Sequence, residues 1–319
     1  MKRRKTVLPG MRSAWVGAAL VLAGVGMMPP AMAETYRLRG SDDVIGQAFY
    51  VKSRAQDTLL DIGRHNGLGY DEMRAANPKV DMWVPGDGAN VLLPTHFVLP
   101  DAPRQGIVLN LAEKRLYYFP GGGDVITHPI SIGREGLSTP VGSFSIVRKD
   151  KSPTWTPTAQ THADRAKEGR APLPAVVPPG PDNPLGDYAM RLSIPSYLIH
   201  GTNRPWGLGM EVSRGCIRMY PEDIERLFPQ VPVGTPVHIV DQPYKAGWSG
   251  DDLYLEVHLK EGQEPRALDE VIPPRIAQTP GVNIDWEEVR RTVAENTGLP
   301  RLVGGRHKSA QGLYLDMIF

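Results

Sequence analysis

The sequence predicts a mainly β protein with α+β elements. Glycine and proline are abundant, 34 and 31 of 319 residues, as in turn-rich chains. From residue 107 onward, short runs of β-branched and aromatic residues recur between turn residues. Helical spacing is confined to a few short segments. The length suggests roughly two domains at about 150 residues each. With 36 Lys+Arg against 35 Asp+Glu, the chain has no basic field that would favour nucleic acid. A single cysteine excludes an internal disulfide, a CxxC redox pair and a multi-cysteine metal site.

Residues 1–33 read as a secretory signal peptide. Lys2, Arg3, Arg4 and Lys5 precede an apolar run from Ala14 to Met28, and Ala31-Met32-Ala33 offers a cleavage site. The run is shorter than the ~20 residues of a bilayer span, so no transmembrane span is expected in the mature protein. Cleavage removes five basic residues and no acidic one, taking the net charge from +1 to −4. Exported proteins normally pair their cysteines; a lone thiol outside the cytoplasm is buried or reactive, and it is Cys216.

Residues 34–47 read as an extended lead-in. Residues 48–98 follow a strand–helix–helix–strand pattern: Tyr50-Val51 are extended, and Leu59, Leu60 and Ile62 share a helix face. Gly67 and Gly69 break that helix, Asp71 to Ala76 form a second one ended by Asn77-Pro78, and Val91-Leu92-Leu93 close the unit. Residues 105–240 are strand-rich. Ile107–Leu111 and Arg115–Phe119 flank a turn as a hairpin, and further strands are expected at 126–132, 142–148, 188–193, 197–200 and 236–240. Six prolines between Pro172 and Pro184 make 150–186 a long excursion off the sheet, a surface loop or a substrate cover. A short helix is expected at 222–228. The extension 241–319 offers a strand at 253–259 and a helix starting at Asp285 in capping-box style and ending near Gly298.

The chemistry gathers in Tyr197–Thr202 and Val212–Met219. An apolar strand ends at His200, and sixteen residues later Cys216 follows a glycine that lets backbone approach closely. A thiol of ordinary pKa is only a few per cent thiolate at pH 7, so a nucleophilic cysteine needs a base or nearby cations. His200 supplies the base. Arg214 and Arg218 lie two residues either side of Cys216, and in an extended segment all three share one face. Lowering the thiol pKa by about 2 units takes ~2.7 kcal/mol and makes thiolate the majority form. The plain alternatives are an inert buried thiol and a structural histidine. His65, His96, His128, His162, His238, His258 and His307 have no such context. HExxH, GxSxG and SxxK are absent, which argues against a metallopeptidase and a serine hydrolase.

Residues 105–240 resemble the catalytic domain of the YkuD-type L,D-transpeptidases, in their ErfK/YbiS-like branch. The resemblance rests on His200 followed by Ser213-Arg214-Gly215-Cys216-Ile217-Arg218, on Asn110–Tyr117, on Ile132–Gly136, on Thr139–Gly142 and on Pro153–Pro157. It implies a β-sandwich or barrel-like catalytic domain. One departure is visible: Arg214 stands where many members have histidine, so the base assignment rests on His200 alone. The 48–98 unit resembles the small βααβ LysM module, through Asp57–Ile62, Ala76-Asn77-Pro78 and Val84-Pro85-Gly86; its alternative is a cap that binds no sugar.

The resemblance implies a periplasmic enzyme acting on peptidoglycan tetrapeptide stems through a cysteine thioester. Terminal D-alanine is released and the acyl group passes to an amine, either a lipoprotein lysine or the diaminopimelate of a second stem. Cys216 is the expected nucleophile, His200 the base, and the Gly201 carbonyl orients the imidazole. Arg218, Arg214, Ser213 and Thr202 are the expected substrate-binding residues. No metal or organic cofactor is implied, and the partners are stem peptides, glycan and an outer-membrane lipoprotein as acceptor. An L,D-carboxypeptidase, another Cys-His peptidase and a non-catalytic peptidoglycan-binding protein are the competing readings.

Overall fold

The computed structural model describes residues 35–134 and 136–306; the expected signal peptide lies outside them. The lead-in supplies β1 (Thr35–Arg37) and β2 (Val44–Gly46). Residues 48–98 contain β3 (Phe49–Lys52), α1 (Leu59–His65), α2 (Tyr70–Ala76), β4 (Asn90–Leu93) and β5 (His96–Val98). The next region begins with β6 (Gly106–Asn110), β7 (Arg115–Gly121), β8 (Asp124–Pro129), β9 (Ile132–Gly133), β10 (Gly142–Lys151) and α3 (Ala159–Lys167). It continues through β11 (Tyr188–Leu192), β12 (Leu198–His200), β13 (Glu211–Ser213), β14 (Ile217–Arg218), α4 (Pro221–Leu227) and β15 (Pro236–Val240). The chain ends in β16 (Tyr244–Ser249), β17 (Asp252–Val257), α5 (Leu268–Val271), α6 (Pro274–Ala277), β18 (Val282–Ile284), α7 (Trp286–Glu295) and β19 (Arg301–Arg306).

The main sheet has nine strands in the order β1-β8-β7-β6-β15-β10-β11-β12-β14. Its pairs are antiparallel except β6 with β15 and β12 with β14. Alternation along β6 and β7 gives the sheet two buried faces. Ile107, Leu109, Leu116 and Tyr118 join Ile199, Ile217 and Ile224 in one core. Val108, Tyr117 and Phe119 point the other way and pack with Leu59, Ile62, Leu68 and Met73 of the small helical unit. That unit therefore shares a core with the sheet. A buried ion pair reinforces the junction: Arg115 bonds Glu72 through Nε at 2.6 Å and Nη2 at 2.9 Å.

Local chemistry explains the small elements. Thr58 and Asp61 form a capping box at the start of α1. Asp285 caps α7 through the N–H groups of Glu287 and Glu288. The β6–β7 turn places Lys114 at φ 58°, a left-handed position that a non-glycine residue seldom adopts.

Two expectations are corrected. The 150–186 stretch is not loop throughout: β10 runs to Lys151, and Thr158 caps α3 by accepting from Thr161 N–H. The region beyond 241 is more than one strand and one helix. It forms a four-stranded antiparallel sheet, β16-β17-β19-β18, whose core includes Leu253, Leu255, Val289, Val293 and Val303.

Candidate active site

The parallel pairing of β12 with β14 builds the site. Ile199 faces Ile217 and His200 faces Arg218 in register, with both isoleucines fully buried as anchors. Continuing the register sets Cys216 beside Leu198, whose backbone N–H bonds to the thiol. His200 and Cys216 thus occupy one face as diagonal neighbours, about 8 Å apart between Cα atoms from ordinary strand spacing and rise.

His200 is 3% exposed, and the Gly201 carbonyl accepts from its Nδ1–H at 2.6 Å. This bond fixes the tautomer and leaves Nε2 as the basic nitrogen. Burial, assisted by the Arg218 charge, pushes the imidazole pKa down to about 4, against the pull of the Gly201 and Leu185 carbonyls. The ring is neutral at physiological pH and able to take a proton.

The thiol departs from expectation. Burial raises the Cys216 pKa above its ordinary value, and this outweighs the Leu198 N–H and the charges of Arg218 and Arg191. The thiol and the imidazole therefore both rest in their neutral forms. Cys216 is half-buried, and its S–H points to the Ser196 carbonyl at 3.5 Å. The arginines do not make thiolate the majority form: burial outweighs the Arg218 charge, and Arg214 is turned to Asp164. Gly215 at φ +100° turns the chain between Arg214 and Cys216, so the segment is not continuously extended. Arg214 forms an ion pair with Asp164 of α3.

The Cys216 turn is braced from several sides. Ser213 Oγ donates to the Cys216 carbonyl at 2.5 Å and accepts from Gly215 N–H at 3.1 Å. Thr139 Oγ1 donates to the Gly215 carbonyl at 2.9 Å and accepts from Gly133 N–H at 3.0 Å. A Cβ on Gly215 would lie 2.7 Å from Tyr197 Cε1, so only glycine fits. Thr202 is buried, and its Oγ1 accepts from Arg204 N–H at 3.0 Å. The bracing role of Thr139 and the partner of Arg214 are both invisible in the motif itself.

Arg218 is different. Its Nε is buried without a hydrogen-bond partner, and burial lowers its pKa from the usual arginine value. Among the described residues no carboxylate lies within ion-pair distance of it. A half-buried guanidinium with no carboxylate partner, its charge felt by the Cys216 thiol, suits an incoming anion. Elsewhere, Glu113, Glu256 and His258 approach each other closely enough to share a metal. Lys245 Nζ already bonds both carboxylates, at 2.6 and 2.8 Å, so this trio is closed by a built-in cation.

A single thiol, an oriented neutral imidazole and a half-buried arginine without a carboxylate partner on one sheet edge are suited to cysteine-dependent acyl transfer. Comparison with known proteins agrees. Residues 104–239 match the family model for the YkuD L,D-transpeptidase catalytic domain. The chain is 44% identical over 246 residues to the probable L,D-transpeptidase YbiS of Escherichia coli K12, covering 75% of this chain and 80% of that one. It is 42% identical over 246 residues to the probable L,D-transpeptidase ErfK/SrfK of Salmonella typhimurium, covering 73% and 78%. The Escherichia coli K12 ErfK/SrfK protein is 40% identical over 286 residues, covering 85% and 91%. The chain belongs to the L,D-transpeptidase family.

Proposed function

We propose that the enzyme acts on the tetrapeptide stems of peptidoglycan, with Cys216 as nucleophile and His200 as base. Nε2 of His200 takes the thiol proton as Sγ attacks the carbonyl of the third stem residue. The C–S bond forms, the bond to the terminal D-alanine breaks, and the same proton passes to the departing amine. An acceptor amine then attacks the thioester: its C–N bond forms, the C–S bond breaks, and His200 takes the proton the amine loses and passes it to sulfur. Gly201 holds the imidazole in the working tautomer, in the position a carboxylate takes in a Ser-His-Asp triad. Gly215 N–H is engaged by Ser213, so oxyanion stabilisation falls to the Cys216 N–H. Arg218 takes a substrate carboxylate, while Ser213 and Thr202 act by shaping the backbone around the two reacting groups.

The observation that carries this reading is the parallel register that sets His200, its Nδ1 held by the Gly201 carbonyl, and the unpaired Arg218 on the strand pair that leads out of Cys216. The acceptor is a lysine of an outer-membrane lipoprotein or the diaminopimelate of a second stem. We further infer that residues 1–33 direct export to the periplasm, and that 48–98 is a LysM-like module gripping the glycan. Among the described residues no helix is long and apolar enough to cross a membrane. The test incubates the pure protein with tetrapeptide muropeptides and each acceptor and follows products by mass spectrometry. D-alanine release with a new amide on one acceptor is expected, and Cys216→Ala abolishes both. Release at the normal rate from Cys216→Ala contradicts the assignment; release without a new amide makes water the acceptor and the enzyme a carboxypeptidase.

A further inference from the structure

Helix α3 is poorly anchored by apolar contacts. Of its nine residues only Thr161 is buried, and Arg165 turns back to the Ala171 carbonyl within its own segment. The tie between this helix and the catalytic loop is Asp164. Its carboxylate pairs with the Arg214 guanidinium, lies 3.9 Å from that of Arg134, and accepts from Gln160 Nε2 at 2.7 Å. The two arginines come from strands that touch: Arg134 N–H donates to the Ser213 carbonyl at 3.0 Å. Arg214 is the next residue, two before Cys216. Two guanidiniums that converge on one carboxylate form a receptor for a carboxylate. Here the receptor is filled from within, by a residue on a helix that little else retains.

We propose that Asp164 is the resident occupant of a two-arginine carboxylate site, Arg134 and Arg214, on the Cys216 loop, and that a free carboxylate of the substrate takes its place. Exchange releases α3 from the loop as substrate arrives, so Asp164 acts as a positioning residue that couples occupancy to the cover. That the displacing carboxylate belongs to a stem peptide rests on the function proposed above; the site itself does not. Arg218, on the opposite side of Cys216 in the chain, remains available for a second anionic group.

The test uses the mature chain with N-acetyl-D-alanine as probe and N-acetyl-D-alaninamide as its neutral twin, titrated by NMR. Asp164→Asn vacates the receptor, so affinity for the acid is expected to rise roughly two- to fivefold, in the range of a partly exposed ion pair. The amide is unaffected. Adding Arg134→Ala to Asp164→Asn removes the gain. Glu168→Gln, which makes the same change in net charge at a surface pair with Arg170, leaves the affinity as in the wild type. In the wild type, saturation with the acid raises hydrogen exchange across 159–167, and the amide does not; this arm needs no variant to fold. Unchanged or weaker acid binding by Asp164→Asn, a gain that survives Arg134→Ala, an equal gain from Glu168→Gln, or exchange indifferent to the acid would each overturn the proposal. None of these readings requires turnover, so a failure of the stem-peptide reading shows separately, as absent D-alanine release.

Discussion

Replacing Arg115 by methionine tests how the small helical unit is held to the catalytic sheet. Arg115 is 1% exposed. Besides its two bonds to Glu72, it donates to Thr127 Oγ1 at 3.1 Å and to the Gly67 carbonyl at 2.9 Å, and it lies 4.2 Å from the Phe97 ring centre. Methionine keeps an apolar stem of comparable length. It leaves the mostly buried Glu72 carboxylate with the Gly69 N–H, at 2.6 Å, as its remaining hydrogen-bond donor. Removing one partner of a buried pair costs about 3–5 kcal/mol, because the other charge stays uncompensated. That is roughly two to nearly four orders of magnitude in the folded-to-opened ratio. Urea unfolding combined with limited proteolysis reads it: Arg115→Met is cut first within 48–98, at a denaturant concentration where the wild type resists. Arg115→Met/Glu72→Leu removes both charges and recovers most of the loss. Stability of the single variant within ~0.5 kcal/mol of wild type, or a double variant no better than the single, would refute the reasoning.

Three other outcomes follow from the geometry. His200 has a folded pKa of about 4 against about 6.5 unfolded. The unfolded chain therefore binds its proton first, and stability is full above pH 6.5 and lost on descent toward 4, by about 3 kcal/mol from this group; acid-unfolding curves of His200→Gln lack that component. Arg218→Met removes a charge that lowers the thiol pKa, so the midpoint of Cys216 alkylation by iodoacetamide moves to higher pH, and KM for a stem peptide rises at least tenfold if the guanidinium binds its carboxylate. Gly215→Ala combines φ +100° with a Cβ against Tyr197. Strain of about 1–3 kcal/mol shifts the turn, and acylation of Cys216 slows by roughly 100-fold while α4 and the sheet stay folded.

Much of the fold was legible because local patterning and tertiary demand agree. Apolar and aromatic runs at 107–111 and 115–119 mark the hairpin, and Asp285 announces the helix it caps. These unbroken runs agree with burial on both faces, but the run does not say that the element covering the second face, over Val108 and Tyr117, is the helical unit. Strand β19 was missed because Gly304 and Gly305 leave its run without an apolar rhythm. At the site, residue type and spacing single out Cys216 and His200 as the candidate nucleophile and base. The direction of the thiol pKa was not: flanking arginines are visible in a sequence, whereas burial and the turn at Gly215 are properties of the folded chain. Asp164 lies fifty residues from Arg214, beyond any local pattern.

The most direct test of the account traps the covalent intermediate. Pure protein mixed with a tetrapeptide stem and quenched in acid before an acceptor is added is digested and mapped by mass spectrometry. A thioester on Cys216 carrying the stem minus one D-alanine, formed by the wild type and strongly suppressed in His200→Ala, is the predicted result. An unmodified Cys216 accompanied by D-alanine release, or an adduct forming equally fast without the imidazole, would contradict it.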